Sequence, residues 1–591
     1  MIRERIDAAA GRLPFDLLIR GAQVVNCFDA SVRPGCVGIL GDTICYVGPD
    51  ENLAAKHVTD ANGQYLLPGF VDAHMHLESS MLSPVWFGRA AAACGTTTVC
   101  ADPHEICNVL GTEGVKALCE LSRLSPLRVI MMAPSTVPSA PGLEGSGFSV
   151  GYEETRTMLR DGAFAGLGEV MDFNGVADGS EPICSVLEAA SETDCLKDGH
   201  VSLLTGRRLA AFRAAGIDSD HTVRTVEAFR EELAMGFCVQ IQESCLTEEL
   251  VREMNACPVT DRICLVTDDV PLPRLMKYGH LNHVFEKAVS LGLDPMRAVR
   301  FATLNPAARL RLYDVGGIAP GMKADLQLVP DLRSPRPTAV WAGGKRIYPA
   351  DAEAVPDCSR IYDRLKNTVR LARPVSRDDL FFELPENAAA GDTAVMNVIS
   401  QDGRSSRTKA RSVRLPVTLT DGKPTVDASG LCKMAVWNRY GLDRHGLSLI
   451  DGLSGFRGAA ALTYGHDSHN LTAYGTDDGD MILAASAVAS MGGGLCAVSD
   501  GKILASVPLP LAGLMSTETP GELNRQLNGF LTALEEMGFR HENPMLFLTL
   551  MPLAVSPEIK CTDMGLINTA EKRPIHPVER IEKGTTTHEK E

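Results

Sequence analysis

The 591 residues predict an α/β protein centred on a (β/α)8 TIM-like barrel, and three features of the sequence lead there. Through residues 68–311, short apolar runs ending in polar or charged residues alternate with stretches at helical period, the pattern of β/α units around a parallel sheet. The runs end near His76, Asp102, Ala133, Glu169, His200, His221, Gln242 and Asp268, with the spacing of roughly 20 to 35 residues that successive βα units require. Strands punctuated by turns flank this region on both sides, so the barrel interrupts a small β-unit.

In chain order, residues 1–67 carry the first part of that unit, with strands expected at 17–25 and 43–48. Residues 68–311 form the barrel, whose clearest strands are 97–101, 128–132 and 263–266, and whose fifth strand, before His200, is placed by spacing. Residues 312–373 return to complete the β-unit and lead into a linker near Pro374. Residues 374–571 again alternate strands and helices as a C-terminal α/β domain, and the charged stretch 572–591 reads as a mobile tail.

Composition narrows the function classes. Hydrophobic residues at 45% and charged residues at 22% are ordinary for a globular chain. A net charge of −17 repels a phosphate backbone and an anionic bilayer, which argues against nucleic-acid and membrane partners and favours a small neutral or cationic ligand. The 17 cysteines are scattered through apolar context without disulfide spacing, as expected of reduced core thiols in a cytoplasmic protein. The N-terminal stretch Met1-Ile2-Arg3-Glu4-Arg5 carries an acid and no apolar core, and no run of about 20 apolar residues follows, so neither secretion nor membrane spanning is expected.

The chemistry concentrates at strand ends. Leu66-Leu67-Pro68-Gly69-Phe70-Val71-Asp72-Ala73-His74-Met75-His76 is an apolar strand ending in His-x-His, and strand periodicity places Asp72, His74 and His76 on one face. An isolated pair of this kind is more often two surface histidines. Here Glu169, His200, His221 and Asp268 stand at other strand ends of the same barrel, where functional groups collect. Four imidazoles and two carboxylates suffice for two divalent ions with one carboxylate bridging and a position open for water. Asp268 can touch one ion and also take a proton from the activated water and pass it to a leaving group. Its neighbour Asp269 reads either as a helix cap or as a substrate contact. Asp102 and His104, at the second strand end, either hydrogen-bond the metal-binding histidines or meet substrate directly.

The motif Pro68-Gly69-Phe70-Val71-Asp72-Ala73-His74-Met75-His76 resembles that of the amidohydrolase superfamily, and its continuation resembles the adenine deaminase family: Leu77-Glu78-Ser79-Ser80-Met81, Ala101-Asp102-Pro103-His104-Glu105, Asp198-Gly199-His200, Asp218-Ser219-Asp220-His221, Thr267-Asp268-Asp269 and, far downstream, His466-Asp467-Ser468-His469-Asn470. The resemblance implies a flanking β-sandwich made from both ends of the barrel. It implies two divalent ions, Mn2+ or Fe2+ with Zn2+ as the further option, bridged by Glu169 in place of a carboxylated lysine. It further implies hydrolysis of adenine at C6 to hypoxanthine and ammonia in purine salvage, by a homodimer or homotetramer, with Asp268 and Glu169 catalytic. Pro-Cys-x-x-Cys, the mark of the zinc nucleobase deaminases, does not occur.

The chain departs from the family pattern around the base. Val201-Ser202-Leu203 replaces a Pro-Gly pair, Gln242-Glu243-Ser244-Cys245 replaces Arg-Glu-Gly-Ser, and Val270-Pro271-Leu272 follows Asp269 where Arg-His-Pro is usual. Asp102, His104, Glu243 and Asp269 are the candidate purine contacts. Because an unpaired buried polar group costs about 1 to 3 kcal/mol, such changes keep two further readings open: hydrolysis of another aminopurine or cyclic amide, and a catalytically silent, metal-stabilised binding protein.

Overall fold

A computed structural model describes residues 2–349, 355–401, 407–420 and 422–584. Five strands precede the barrel: β1 (Phe15–Asn26), β2 (Ser31–Leu40), β3 (Thr43–Gly48), β4 (Ala55–Asp60) and β5 (Tyr65–Pro68). β1 shifts register against β2 between Ile19 and Ala22, which lets its first half pair with β4 and its second half with β5.

The barrel strands follow as β6 (Phe70–Met75), β7 (Thr96–Ala101), β8 (Arg128–Ala133), β9 (Phe164–Val170), β10 (Leu196–Gly199), β11 (Ser219–Asp220), β12 (Cys238–Ile241) and β13 (Ile263–Leu265). Seven of the eight end within a residue of the position read from the sequence, and β13 ends three residues before Asp268, because a buried parallel strand is an apolar run that stops where the chain meets the polar mouth. Parallel ladders join β6 through β10 and β11 through β13. A bridge between Met75 and Asp268, with the Asp268 N–H donating to His74 O at 3.2 Å, links β13 back to β6.

The seam between β10 and β11 is made differently. β11 has only two residues, and among the described residues no ladder joins it to β10. Arg309, buried at the end of the helix Leu304–Arg309, spans the gap instead. Its guanidinium donates to Lys197 O at 3.3 Å and Ser219 Oγ at 3.1 Å and pairs with Asp218 at 2.9 Å, with Asp198 at 3.8 Å.

After the barrel, β14 (Leu326–Val329), β15 (Ala339–Ala342) and β16 (Lys345–Tyr348) return to the first sheet. β14 runs antiparallel to β5, with Leu326 opposite Pro68 and Val329 opposite Tyr65. The two flanks therefore form one continuous eight-stranded sheet over a core that includes Ile19, Val37, Leu66, Leu326 and Trp341.

A second unit comprises Glu105–Val115, Val137–Ser149 and the chain from Arg360 onward. Its strands are β17 (Thr393–Gln401), β18 (Thr408–Thr420), β19 (Lys423–Val426), β20 (Cys432–Trp437), β21 (His445–Ile450), β22 (Ala459–Leu462), β23 (Leu471–Gly475), β24 (Gly494–Ser499), β25 (Lys502–Pro508), β26 (Ile559–Thr562), β27 (Gly565–Asn568), β28 (Arg573–Ile575) and β29 (Val578–Glu582). β17 to β25 and β29 form a mainly antiparallel ten-stranded sheet. The helix Asp478–Ser490, capped by Asp477, packs Met481, Ala484, Ala485 and Val488 into its core.

These borders differ from the expected ones at three places. Residues 105–115 and 137–149, expected in the barrel, belong to the second unit: Glu105 pairs with His466 at 2.7 Å, Gly145 N–H donates to Asp563 at 2.8 Å, Asn470 Nδ2 to Gly145 O at 2.8 Å, and Thr562 Oγ1 to Leu143 O at 2.6 Å. That unit resumes at Arg360, before the expected border at 374. The start of the expected tail is ordered: β29 pairs with β17, Thr393 opposite Glu582, and Lys583 closes on Asp392 at 2.9 Å. Residues 585–591 lie outside the described residues. All seventeen cysteines are free thiols, and no described helix is long and apolar enough to cross a membrane.

Removing Arg309 strips the counter-charge from buried Asp198 and opens the β10–β11 seam. Arg309→Met is expected to cost about 3 to 5 kcal/mol, seen as a lower calorimetric melting temperature for the transition of the barrel unit; an unchanged transition would refute the stapling role.

Candidate metal centre

His74 and His76 stand at the end of β6 with ring centroids 5.1 Å apart, and His74 stacks on His221 at 4.0 Å. Asp268 turns back toward them in left-handed backbone, at φ 60°. Its Oδ1 lies 3.4 Å from His76 Nε2 and 3.6 Å from His74 Nε2. Glu169, near the end of β9, sits between the remaining imidazoles: Oε1 is 3.2 Å from His76 Nε2, and Oε2 is 2.8 Å from His200 Nδ1 and 3.3 Å from His221 Nε2.

Among the donor triplets in which one atom per residue lies within 4.8 Å of the others, three interlock: His74, His76 and Glu169; His74, His221 and Asp268; Glu169, His200 and His221. Shared corners at Glu169, His74 and His221 suit two adjacent ions. The donors themselves fit: imidazole nitrogen with carboxylate oxygen is a first-row transition-metal set. His74 Nε2 is buried without a hydrogen-bond partner, as a nitrogen reserved for a metal would be.

Neighbouring groups fix which nitrogen is presented. Asp198 faces His74 Nδ1 at 2.7 Å, and the Asp102 carbonyl faces His76 Nδ1 at 3.1 Å, leaving Nε2 of both rings for the centre. Asp198 is in turn held by Ser219 and by Arg309. The Asp102 carboxylate accepts the Glu169 N–H at 2.7 Å, so it positions the bridging acid. Asp72 accepts from Thr267 Oγ1 at 2.5 Å and Thr267 N–H at 3.2 Å, tying β6 to the chain just before Asp268. His280 Nε2 lies 3.6 Å from Asp72, and its Nδ1 meets Thr96 Oγ1 at 2.9 Å.

Comparison with known proteins now decides the family. The family model described as the amidohydrolase family matches residues 65–347, which include every residue of this centre, and the adenine deaminase C-terminal domain matches residues 405–573. The chain is 35% identical to an adenine deaminase of Moorella thermoacetica, covering 96% of both chains. It is 36% identical to one of Oleidesulfovibrio alaskensis, covering 95% of this chain and 96% of the relative. The chain belongs to the adenine deaminase family. A third relative, the adenine deaminase of Bacillus velezensis, is 33% identical over 96% of this chain and 97% of its own.

In this member of the adenine deaminase family the six expected ligands, His74, His76, Glu169, His200, His221 and Asp268, converge. Asp269 is exposed beside them and shares a donor triplet with His76 and Asp268. His104 Nδ1 lies 3.7 Å from Asp102 and 3.8 Å from Glu169. Glu243 points elsewhere: its carboxylate is paired with Arg274, with His283 at 3.3 Å and with Lys287 at 3.6 Å. The His283 hydrogen bond and these cations pull its pKa down to about 2. The sequence reading missed Asp198, Thr267, His280 and Gln242 as supporting groups. Asp198 and Thr267 sit inside motifs already singled out, but nothing in the sequence says which side chain the first would face.

Electrostatics bind the set together. Burial pushes the Glu169 carboxyl up, yet hydrogen bonds from His200, His221 and His76 outweigh it and hold it well below the usual range. Asp268 is likewise held low, against its burial, by His221, His74 and His76. Burial depresses the imidazoles, but Asp198 and Asp268 raise His74, Asp268 and Glu169 raise His76, and Glu169 raises His200.

The carboxylates that raise His74, His76 and His200 favour the protonated rings in the metal-free protein, whereas a metal takes only the neutral ring. Loading is therefore expected to release roughly one to three protons per chain, and affinity to fall as pH falls. Calorimetric titration of metal-free protein with Mn2+ in buffers of different ionisation enthalpy measures this; release of none would contradict the linkage. A Cβ at Gly168 would lie 2.2 Å from Asp102 Oδ2. Gly168→Ala is expected to displace Asp102 from the Glu169 N–H and weaken metal affinity about 10- to 100-fold, measured by competition with a chelating dye.

Proposed function

We propose that this chain hydrolyses adenine to hypoxanthine and ammonia. The observation that carries the reading is the convergence of four imidazoles and two carboxylates at the mouth of a barrel whose chain matches adenine deaminases from end to end. His74, His76, His200, His221, Glu169 and Asp268 would hold two divalent ions, Mn2+ or Fe2+ by the resemblance, with Zn2+ as the alternative. When bound, such ions acidify water and polarise the bond under attack.

The residues of the chain supply the rest. Water oxygen bonds to C6, and Asp268 takes the proton it sheds. As the C6–N6 bond breaks, Asp268 returns that proton to the departing nitrogen, which leaves as ammonia, while the second water proton ends on ring N1 as the C6 carbonyl of hypoxanthine forms. Glu169, fixed by the Asp102 carboxylate at its N–H, holds the two halves of the centre in register. Asp269 and His104, flanking the centre, are the proposed purine contacts, with Glu243 shaping the mouth through Arg274, His283 and Lys287. The net charge of −17 and the uniformly free cysteines support a cytoplasmic enzyme of purine salvage acting on a small base, assembled as a homodimer or homotetramer like the family it resembles.

Ammonia and hypoxanthine formation from a panel of aminopurines and cyclic amides, with Mn2+ present, tests the reading; turnover of another ring with none of adenine would overturn it. Asp268→Asn is expected to lower kcat about 10²- to 10⁴-fold in protein that still carries metal. Unchanged activity in metal-loaded Asp268→Asn would remove Asp268 from the mechanism.

A further inference from the structure

Asp268 has two oxygens with different company. Oδ1 faces the imidazoles of His74 and His76, whereas Oδ2 accepts a hydrogen bond from Gln242 Nε2 at 2.9 Å. The same Nε2 donates to the carbonyl of His221 at 3.1 Å. A carbonyl can only accept, so the nitrogen end of the Gln242 amide is the end that faces both groups. Its other end is fixed too: Ser244 Oγ donates to Gln242 Oε1 at 2.7 Å, and Arg224 Nη1 donates to Ser244 Oγ at 2.6 Å.

Every link in this chain points the same way. Arg224 has no acceptor, so Ser244 receives from it and turns its own proton toward Gln242 Oε1. Gln242 must then present N–H to Asp268. The amide cannot flip to offer an oxygen, which would set a lone pair against a carboxylate. The carboxylate also needs such a restraint, because Asp268 sits in left-handed backbone at φ 60° and its side chain is 20% exposed, unlike the enclosed His74, His76 and Glu169.

We propose that Gln242, its amide oriented by Ser244 and Arg224, is the positioning residue for proton transfer by Asp268. It holds the carboxylate with Oδ1 toward the metal-binding imidazoles and Oδ2 turned away from them as the proton-carrying oxygen. This rests on the deaminase reading, since it assigns a role within that reaction. Without the Gln242 N–H the carboxylate rotates, the oxygens exchange places, and proton transfer loses alignment while binding of metal and base is retained.

The experiment compares wild type with Gln242→Leu, which removes the donor, Gln242→Glu, which replaces it with an acceptor, and Ser244→Ala, which frees the amide to turn. The readouts are kcat and KM for adenine, the solvent deuterium isotope effect on kcat, metal content, and the melting temperature of the metal-free protein. The two Gln242 variants are expected to lose roughly ten- to a hundredfold in kcat, with KM within about twofold. Their isotope effect should rise, and metal content and melting temperature should match wild type. Ser244→Ala should move kcat and the isotope effect in the same direction by less. Gln242→Leu with wild-type kcat and isotope effect would overturn the proposal. So would a loss of metal or of melting temperature that tracks kcat, because Gln242 would then be a structural prop. A wild type that releases no ammonia from adenine would overturn the deaminase reading itself.

Discussion

The buried carboxylate of Glu169 is the charge on which the rest of the centre depends. A carboxylate taken out of water is costly unless it is met by positive charge or hydrogen-bond donors. Here three imidazoles meet it, from His76, His200 and His221. Those imidazoles come from three different strand ends, so one acid sets how far apart β6, β10 and β11 can stand at the mouth. Glu169 raises His76 and His200, and Asp198 and Asp268 raise His74. The result is an alternating array of acids and bases that divalent ions can enter by displacing protons.

Much of this was legible in the sequence because a parallel barrel converts linear spacing into a ring. Once His74-x-His76 marks one strand end, any acid or imidazole at another strand end must lie near the same axis. That logic located all six side chains that converge there without knowledge of a contact. It failed for groups whose role depends on orientation. Asp198 lies two residues before His200, yet serves His74 across the barrel. Glu243 lies one residue past a strand end and still turns to Arg274, His283 and Lys287, while its neighbour Gln242 faces Asp268. Strand parity and spacing say where a residue starts, and only packing says where its side chain goes.

Domain limits were less legible for a related reason. Residues 105–115 and 137–149 follow barrel strands closely enough to read as ordinary βα connections, but Glu105 pairs with His466, and Leu143 and Gly145 bond to Asn470, Thr562 and Asp563, hundreds of positions away. The tail was misjudged on composition. The charges of β29, Glu579, Arg580 and Glu582, suit an edge strand as well as a mobile end, and pairing with β17 decides between them.

The staple at Arg309 carries a consequence for how the chain comes to life. Its partners at Lys197, Asp198, Asp218 and Ser219 are made roughly a hundred residues earlier, and the strand that completes the first sheet, β14, pairs with β5 across some 260 positions. A chain emerging from the ribosome thus has all six ligands outside before either the seam or the sheet can close. Long-range closure of this kind is slow relative to local helix formation, so the nascent barrel spends a period with its histidines and acids assembled only loosely. The seam beside His200 and His221 thus closes only once the helix ending at Arg309 has been synthesised.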